Sequence, residues 1–260
     1  MRRDSAGFDM LRDLSKVGLV VPCYNEAHRL PVQEFVGFCE QFPGVYLLFV
    51  NDGSADGTGA LLQDLATRHA GRMGWLNLET NRGKAEAVRA GMNELLAKGN
   101  FRLIGYWDAD LATPLTEIPR LVEAFDHQPA LQLVCGSRVR RLGAAVDRLW
   151  YRHYLGRVFA TCVSLILRLP VYDSQCGAKF MTASLGRKLF ESPFISRWFF
   201  DVELFARTIQ ALGWETAQTS LFEVPVAAWH EKGGSRLRLA DFLRAPWELL
   251  VIHRHYRLHR

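Results

Sequence analysis

The chain has 260 residues, of which 49% are hydrophobic and 23% are charged, and this suffices for the core of one α/β domain, with or without a C-terminal appendage. Its five cysteines are odd in number and form no C-x-x-C pair, which argues against a disulfide framework and a structural zinc site and favours a reducing compartment. A net charge of only +5, without a recognisable reading module, argues against nucleic acid as a partner.

Residues 1–16 are expected to form an N-terminal extension. They are charged and have no apolar core before Val17, so they do not read as a secretory signal. The longest apolar stretch, 158–167, is about half of the roughly 20 residues that a bilayer-spanning helix needs. We therefore expect a chain that does not span a membrane.

From residue 17 to about residue 136, apolar runs of strand length alternate with helical patterns. This alternation predicts right-handed βαβ units, and hence an α/β fold with a mostly parallel sheet flanked by helices. Ligands of such sheets bind at the carboxyl ends of the strands. The predicted strands are 17–21, 45–50, 75–78 and 103–107, and the predicted helices are 31–42, 57–70, 84–98 and 116–125.

The first two strands end in polar turns that suit a nucleoside. Pro22 fixes the backbone at the strand exit, although it could merely end the strand. Tyr24 offers a flat face for a base, and Glu26 offers an acceptor for base or ribose donors. Asp52 can accept a hydrogen bond from base or ribose, because a tight turn through Ser54 keeps it aimed inward.

The next two clusters suit a diphosphate. Gly83 and Lys84 open a helix, so backbone N–H groups and the Lys84 ammonium can meet a phosphate, although such lysines are often simply solvated. Asp108-Ala109-Asp110 follows strand 103–107 and places two carboxylates where Mg²⁺ or Mn²⁺ can bridge them to a diphosphate. Alone this triplet could be a solvated turn. Together with the other clusters, the triplet predicts that residues 17–137 form a nucleotide-sugar-binding half. Within it, Asp110 is the first candidate metal ligand, and Asp108 is a candidate metal or ribose contact.

The pattern changes after residue 137. An Arg-rich helical stretch precedes a polar loop at 173–179, a helix near 201–212, a strand-like run at 221–226 and a final helix from about 239 to 256. Residues 138–168 hold seven arginines against one acidic residue, interleaved with aromatic residues, and 239–260 is predicted to be an amphipathic basic helix. Such helices favour an anionic membrane surface, and a core-packed helix with a solvated basic face is the alternative.

Eight motifs, in order along the chain, resemble those of family 2 glycosyltransferases of the polyprenyl-phosphate sugar synthase type, near to dolichyl-phosphate glucosyltransferases and related mannosyltransferases. The resemblance implies a GT-A fold and a metal-dependent, inverting transfer of a hexose to polyprenyl or dolichyl phosphate. UDP-glucose is the favoured donor and GDP-mannose the second, and the implied location is peripheral, on the cytoplasmic face of a membrane. The motifs are VPCYNE (21–26), NDGS (51–54), NRGK (81–84), DAD (108–110), CGSR (135–138), DSQCGAKF (173–180), RWFFDVE (197–203) and GSR (234–236).

The resemblance also makes residues 138–238 an acceptor-binding half of the same domain. Arg138, Lys179 and Arg236 are candidates to hold an anionic lipid phosphate. Gln175 is implied to line the reaction centre, while Asp173 could cap or brace its loop. The implied catalytic residues are Asp110, Arg138, Gln175 and Asp201, and acceptor binding is completed by Arg197, Trp229 and Ser235.

Alternatives remain for several of these residues. Asp201 could be an ordinary helix cap, and with a hydroxyl acceptor Asp201 or Glu203 would have to act as general base. Mannosyl-type synthases carry a Gln where this chain has Ala112. An alanine at this position looks more like the glucosyl type, and it leaves a bound metal with one protein ligand fewer. Residues 229–236 are expected to form a Gly-hinged loop over the diphosphate, without a catalytic role for His230.

Two other functions compete with the leading hypothesis. One is a family 2 enzyme that glycosylates a hydroxyl group of a polysaccharide, a protein or a small molecule. The other is a non-catalytic module that binds membrane or nucleic acid through its basic aromatic helices.

Overall fold

The computed structural model describes residues 14–143, 145–147, 150–230, 232 and 239–256. Strands and helices alternate through the first half, and helices dominate the second. The strands are β1 (Val17–Cys23), β2 (Val45–Asp52), β3 (Met73–Leu78), β4 (Leu103–Trp107), β5 (Leu133–Ser137), β6 (Ala145–Asp147), β7 (Ala178–Thr182), β8 (Leu221–Pro225) and β9 (Ala228–His230). The helices are α1 (Val32–Gln41), α2 (Thr58–Arg68), α3 (Lys84–Lys98), α4 (Ile118–His127), α5 (Trp150–Leu167), α6 (Ala183–Leu189), α7 (Phe200–Leu212), α8 (Trp214–Ser220) and α9 (Leu239–His255).

The central sheet has seven strands in the order β3-β2-β1-β4-β7-β5-β8. Strands β1 to β4 are parallel to one another, β5 is parallel to β8, and β7 is antiparallel to both β4 and β5. The predicted α/β fold with a mostly parallel sheet is therefore confirmed. Strands from both predicted halves share this sheet, while the boundary between residues 137 and 138 stays a prediction.

Helix α3 has the bounds that the sequence predicted, and α1 and α2 begin one residue later than predicted. The predicted helix at 116–125 instead begins as a 3₁₀ turn, Leu115–Glu117, which continues into α4. The predicted loop at 173–179 is wrong at its end, because Ala178 and Lys179 belong to β7. A lysine in the middle of a five-residue strand hides the apolar pattern that predicts strands.

The core lies on both faces of the sheet, since successive residues of a strand point to opposite faces. In β1, Val20 packs on the α3 side with Val88 and Met92, and Leu19 packs on the other side with Phe35 of α1. Each such buried side chain contributes roughly 1.5–3 kcal/mol. The strands therefore end at fixed positions, which is what a site at their ends requires.

A second, two-stranded sheet pairs β6 with β9 in parallel. The His230 N–H in β9 donates to the Ala112 carbonyl at 2.8 Å, and this hydrogen bond connects the small sheet to the loop after β4. Among the described helices, none combines the length and the apolar character needed to cross a bilayer.

Candidate active site

The carboxyl ends of β1, β2 and β4 lie at one edge of the sheet, and the reversed strand β7 begins at that edge. Trp107 pairs with Ala178 across β4 and β7, and the Asp108 N–H donates to the Gly177 carbonyl at 3.0 Å. A Cβ atom at Gly177 would overlap the Asp108 carboxylate, so only glycine leaves that carboxylate its place. The polar loop of the second half thus meets the DAD motif.

The two carboxylates of the DAD motif differ in environment. The Asp108 side chain is 38% exposed and forms an ion pair with Lys84, whose Nζ lies 2.5 Å from Asp108 Oδ1. Asp110 is exposed, and its Oδ1 accepts the Ala112 N–H at 3.0 Å. The pKa of Asp110 is raised, mainly by loss of hydration and secondly by repulsion from Asp108. Leu111 follows with a φ of 51°, a left-handed conformation that is uncommon for residues other than glycine.

This donor set fits a small divalent cation. Mg²⁺ is usually bound by one or two carboxylates together with substrate phosphates and water, not by a full protein cage. No group of three or more metal-ligating side chains occurs in the described part of the chain. Asp108 and Asp110 would therefore hold the cation from one side only, which agrees with Ala112 standing in the place of a third ligand.

The predicted nucleoside-binding residues lie at the ends of β1 and β2, and two of them also brace loops. Asp52 is buried, and its two carboxylate oxygens accept the N–H groups of Arg82 and Gly83 at 2.7 and 2.8 Å. Gly83 has a φ of 92°, so these bonds hold a turn that favours glycine, directly before Lys84. Ser54 Oγ accepts the Asn25 N–H at 2.9 Å. Contact of either residue with a nucleoside stays a prediction.

Four further residues of the predicted donor site differ in burial. Pro22 and Tyr24 are half-buried at the end of β1 and beyond it. Glu26 is buried and accepts from Arg29 Nη2 at 2.7 Å. The Ala109 side chain lies in the apolar core, so it offers a ligand only its backbone. Their roles in donor binding stay predictions.

Lys179 lies beneath the site and not in it. Its side chain is fully buried, and Nζ donates to the carbonyls of Ser174 and Cys176 at 3.0 and 2.7 Å and to Asp201 Oδ1 at 2.5 Å. The Tyr106 hydroxyl donates to the same Asp201 oxygen. All three ammonium donors are engaged, which gives Lys179 a buried structural role, and its binding of an acceptor phosphate stays a prediction. Its place in the middle of β7 turns it inward.

The two carboxylates that a hydroxyl acceptor would use as base are also occupied. Asp201 is buried and bound as described above. Glu203 is fully buried and accepts from the N–H groups of Ile195 and Ser196, from Arg207 and from the Tyr256 hydroxyl. Their burial and engagement argue against the general-base role considered for a hydroxyl acceptor. Asp201 contacts Lys179 and Tyr106, and its catalytic role stays a prediction.

Arg138 forms a two-pronged ion pair with Asp173. Its Nε and Nη2 lie 2.6 and 2.7 Å from the two Asp173 oxygens, and its guanidinium lies 5.5 Å from the Trp229 ring centre. Loss of hydration is the largest single effect and lowers the pKa of Arg138, but Asp173, Cys176 and Asp108 together raise it by more, so the pKa lies above its ordinary value. Glu223 accepts the Asp173 N–H at 2.8 Å. The bracing role considered for Asp173 is thus confirmed, and Arg138 belongs to that brace.

The remaining predicted residues are spread along the edge. Gln175 donates its backbone N–H to Asp173, and its buried side-chain Nε2 has no hydrogen-bond partner among the described residues. Arg197 is exposed, and its Nε lies 3.2 Å from where a Cβ of Gly83 would be, beside an open cavity of about 380 Å³. Arg197 is therefore near the donor loop. Ser235 and Arg236, with most of the predicted Gly-hinged loop, lie outside the described residues.

Sequence reasoning missed several residues that position the site. Glu117 is buried and accepts the N–H groups of Ala227 and Ala228 at 3.0 and 3.2 Å, which ties the turn after the DAD motif to the segment before β9. Tyr106, which donates to Asp201, and Glu223, which accepts the Asp173 N–H, also hold parts of the site in place. A tyrosine or a glutamate inside a strand gives no pattern that separates these roles from ordinary surface positions. Gly177 lies in the DSQCGAKF motif, but no role is predicted for it from the sequence.

Comparisons with known proteins agree with this arrangement. The family model described as Glycosyl transferase family 2 matches residues 19–188. A dolichyl-phosphate beta-glucosyltransferase of Trichomonas vaginalis is 31% identical over 250 residues, covering 92% of this chain and 71% of the relative. One from Drosophila melanogaster is 34% identical over 236 residues, covering 85% and 69%. Glucosyl-3-phosphoglycerate synthase from Mycobacterium tuberculosis, solved with Mn²⁺ and UDP-glucose, superimposes with a TM-score of 0.65 at 18% identity, covering 98% of this chain and 84% of that one.

Proposed function

Because the chain belongs to glycosyl transferase family 2 and is a glycosyltransferase, we propose that it transfers glucose from UDP-glucose to polyprenyl or dolichyl phosphate. GDP-mannose is the second candidate donor. The observation that supports this most is the meeting of Asp108, Asp110 and Lys84 at one sheet edge, in contact with the loop of the second half. The names of the two relatives supply the acceptor class and the sugar.

The proposed reaction needs no protein base. An anionic phosphate oxygen of the acceptor attacks the anomeric carbon, the bond from that carbon to the donor's diphosphate breaks, and the nucleoside diphosphate leaves with the electron pair. A hydroxyl acceptor would need a base. The buried and occupied state of Asp201 and Glu203 therefore favours a phosphate acceptor.

The residues at the sheet edge have defined roles in this proposal. Asp108 and Asp110 would hold Mg²⁺ or Mn²⁺, which when bound neutralises charge on the departing diphosphate. Lys84, at the start of α3, would meet a phosphate of the donor with the support of the helix dipole. Gln175 would donate its unpaired Nε2 to a substrate oxygen, and the brace of Arg138 and Asp173 would hold its loop.

The same proposal includes a peripheral place on the cytoplasmic face of an anionic membrane. Helices α5 and α9 pack together, and α5 contains no Asp or Glu. Tyr154, Val158 and Leu165 of α5 and Trp247 of α9 are 64–73% exposed, with Arg254 exposed beyond Trp247. Exposed apolar and aromatic side chains among basic residues suit a lipid surface. Apolar and aromatic side chains on the exposed face argue against the alternative of a core-packed helix with a solvated basic face.

A transfer assay tests the activity. Purified protein with labelled UDP-glucose, Mg²⁺ and polyprenyl phosphate should give label that extracts into organic solvent, and labelled GDP-mannose should give less. Asp110→Asn should lower the rate strongly, whereas Asp64→Asn, which removes a carboxylate from an exposed ion pair of α2, should leave it unchanged. Label in an aqueous product would favour a hydroxyl acceptor, and no transfer from any common donor would refute the proposal.

Vesicle flotation tests the membrane surface. The protein should float with vesicles that contain anionic lipid, and Val158→Ser with Trp247→Ser should reduce the floating fraction. Phe222→Ser is the matched control, because Phe222 is 40% exposed but lies on β8, outside the two helices. Equal flotation of the double variant and the control would refute this surface.

A further inference from the structure

Lys84 occupies the position at which a cation would bind Asp108. Its Nζ lies 2.5 Å from Asp108 Oδ1, and both side chains are 38% exposed, so the pair is open to solvent and to ligands. The ammonium therefore neutralises the carboxylate in the ligand-free protein.

A divalent cation and an ammonium group on the same carboxylate repel each other, so cation binding favours the displacement of Lys84 from Asp108. The displacement is geometrically easy. The lysine stem is flexible and 38% exposed, and besides Asp108 its Nζ lies near the Tyr106 and Phe200 rings, at 5.9 and 5.8 Å from their centres. Lys179, locked by three hydrogen bonds, shows the contrast within the same site.

We propose that Lys84 acts as a placeholder cation on Asp108 and is transferred to the donor's diphosphate when the divalent cation and the donor bind together. This rests on the proposed function, because it takes a nucleoside diphosphate as the ligand. Without a nucleotide, Lys84 opposes cation binding. With a nucleotide, the released ammonium gains a new anionic partner, so the cation and the nucleotide strengthen each other's binding.

The reciprocal coupling gives a test that does not depend on sugar transfer. Mn²⁺ binding is measured by electron paramagnetic resonance, with and without UDP, for the full chain and three variants. Lys84→Met should bind Mn²⁺ alone roughly fivefold or more tighter than the unmodified protein, and the factor by which UDP strengthens Mn²⁺ binding should fall. Lys84→Arg keeps the charge and should retain weak Mn²⁺ binding.

Lys98→Met is the matched control. Lys98 lies at the other end of α3, in a surface ion pair with Glu94 at 3.4 Å, and its loss should leave Mn²⁺ binding unchanged. Melting curves confirm that each variant is folded. Unchanged or weaker Mn²⁺ binding by Lys84→Met in the absence of UDP overturns the placeholder role. Failure of the proposed function is seen separately, as absence of transfer by a protein that still binds Mn²⁺ and UDP.

Discussion

The substitution Lys179→Met tests whether Lys179 is a buried structural cation or a ligand of the acceptor. Methionine keeps much of the length and apolar volume of lysine but removes the ammonium that faces Asp201. The exposed fractions of the two side chains are 0% and 5%, so solvent screening does not weaken their interaction. The Asp201 carboxylate would be left buried with the Tyr106 hydroxyl as its remaining side-chain donor.

Removal of one partner from a buried ion pair costs about 3–5 kcal/mol. In a protein of this size each 1 kcal/mol lowers Tm by about 2–4 °C, so we expect a decrease of about 6–20 °C in a thermal melt. Lys98→Met, which breaks an exposed pair worth about 0–1 kcal/mol, should lower Tm by less than about 4 °C. Adding Asp201→Asn to Lys179→Met should recover part of the loss, because it removes the uncompensated charge.

The pH dependence of this loss has a defined sign. Loss of hydration is the largest single effect and lowers the pKa of Lys179, but Asp201, Cys135 and Cys176 together raise it by more. The folded-state pKa therefore lies above the unfolded value of about 10.4. The stabilisation is then fully present below the unfolded pKa and is lost only as pH rises through the folded one. The difference in stability between the variant and the unmodified protein should stay constant from about pH 6 to 9. A variant that melts within about 2 °C of the unmodified protein, but binds the acceptor poorly, would refute the structural role.

Three further changes test other parts of the site. Gly177→Ala should lower the transfer rate on the order of 10²-fold, because the added methyl group displaces the Asp108 carboxylate. The control is Gly37→Ala, whose new carbon enters open space, so this change should leave the rate unchanged and raise Tm slightly. Arg138→Met should lower Tm in a melt, since it leaves Asp173 buried and charged; a pure acceptor-binding role would instead raise KM without altering Tm. Thr182→Ala should cost about 1 kcal/mol in chemical denaturation, because the Thr182 hydroxyl accepts the Leu185 N–H at the start of α6, and an unchanged free energy of unfolding would show that this cap is not needed.

The parts of the fold that sequence could predict are those with regular patterns. The bounds of α3 follow from glycine residues at both ends and an unbroken helical pattern between them. The strands before the DAD motif are continuous apolar runs, which is how doubly covered parallel strands read. Strand β7 escaped prediction because Lys179 interrupts its pattern, and its direction depends on pairing partners that are distant in sequence.

The site, like the fold, has parts that the sequence could predict and parts that it could not. Sequence placed Asp108, Asp110 and Lys84 together, because parallel strands end at one edge of a sheet and their polar turns must meet there. It could not tell which charges face inward. Lys179 reads as a phosphate ligand until its burial is known, and Arg138 reads as a free guanidinium until Asp173 is seen between its prongs. Such choices depend on tertiary partners that no local pattern records.

The reversed direction of β7 bears on where a lipid acceptor would lie under the proposed function. Ten residues join the end of α5 to the start of β7, a span of at most ~36 Å when fully stretched. Arg157 of α5 shortens it, since its guanidinium stacks 3.6 Å from the Tyr172 ring centre and donates to the Tyr172 carbonyl. A helix resting on a bilayer would thus hold the reaction centre within reach of a headgroup whose tail never leaves the lipid.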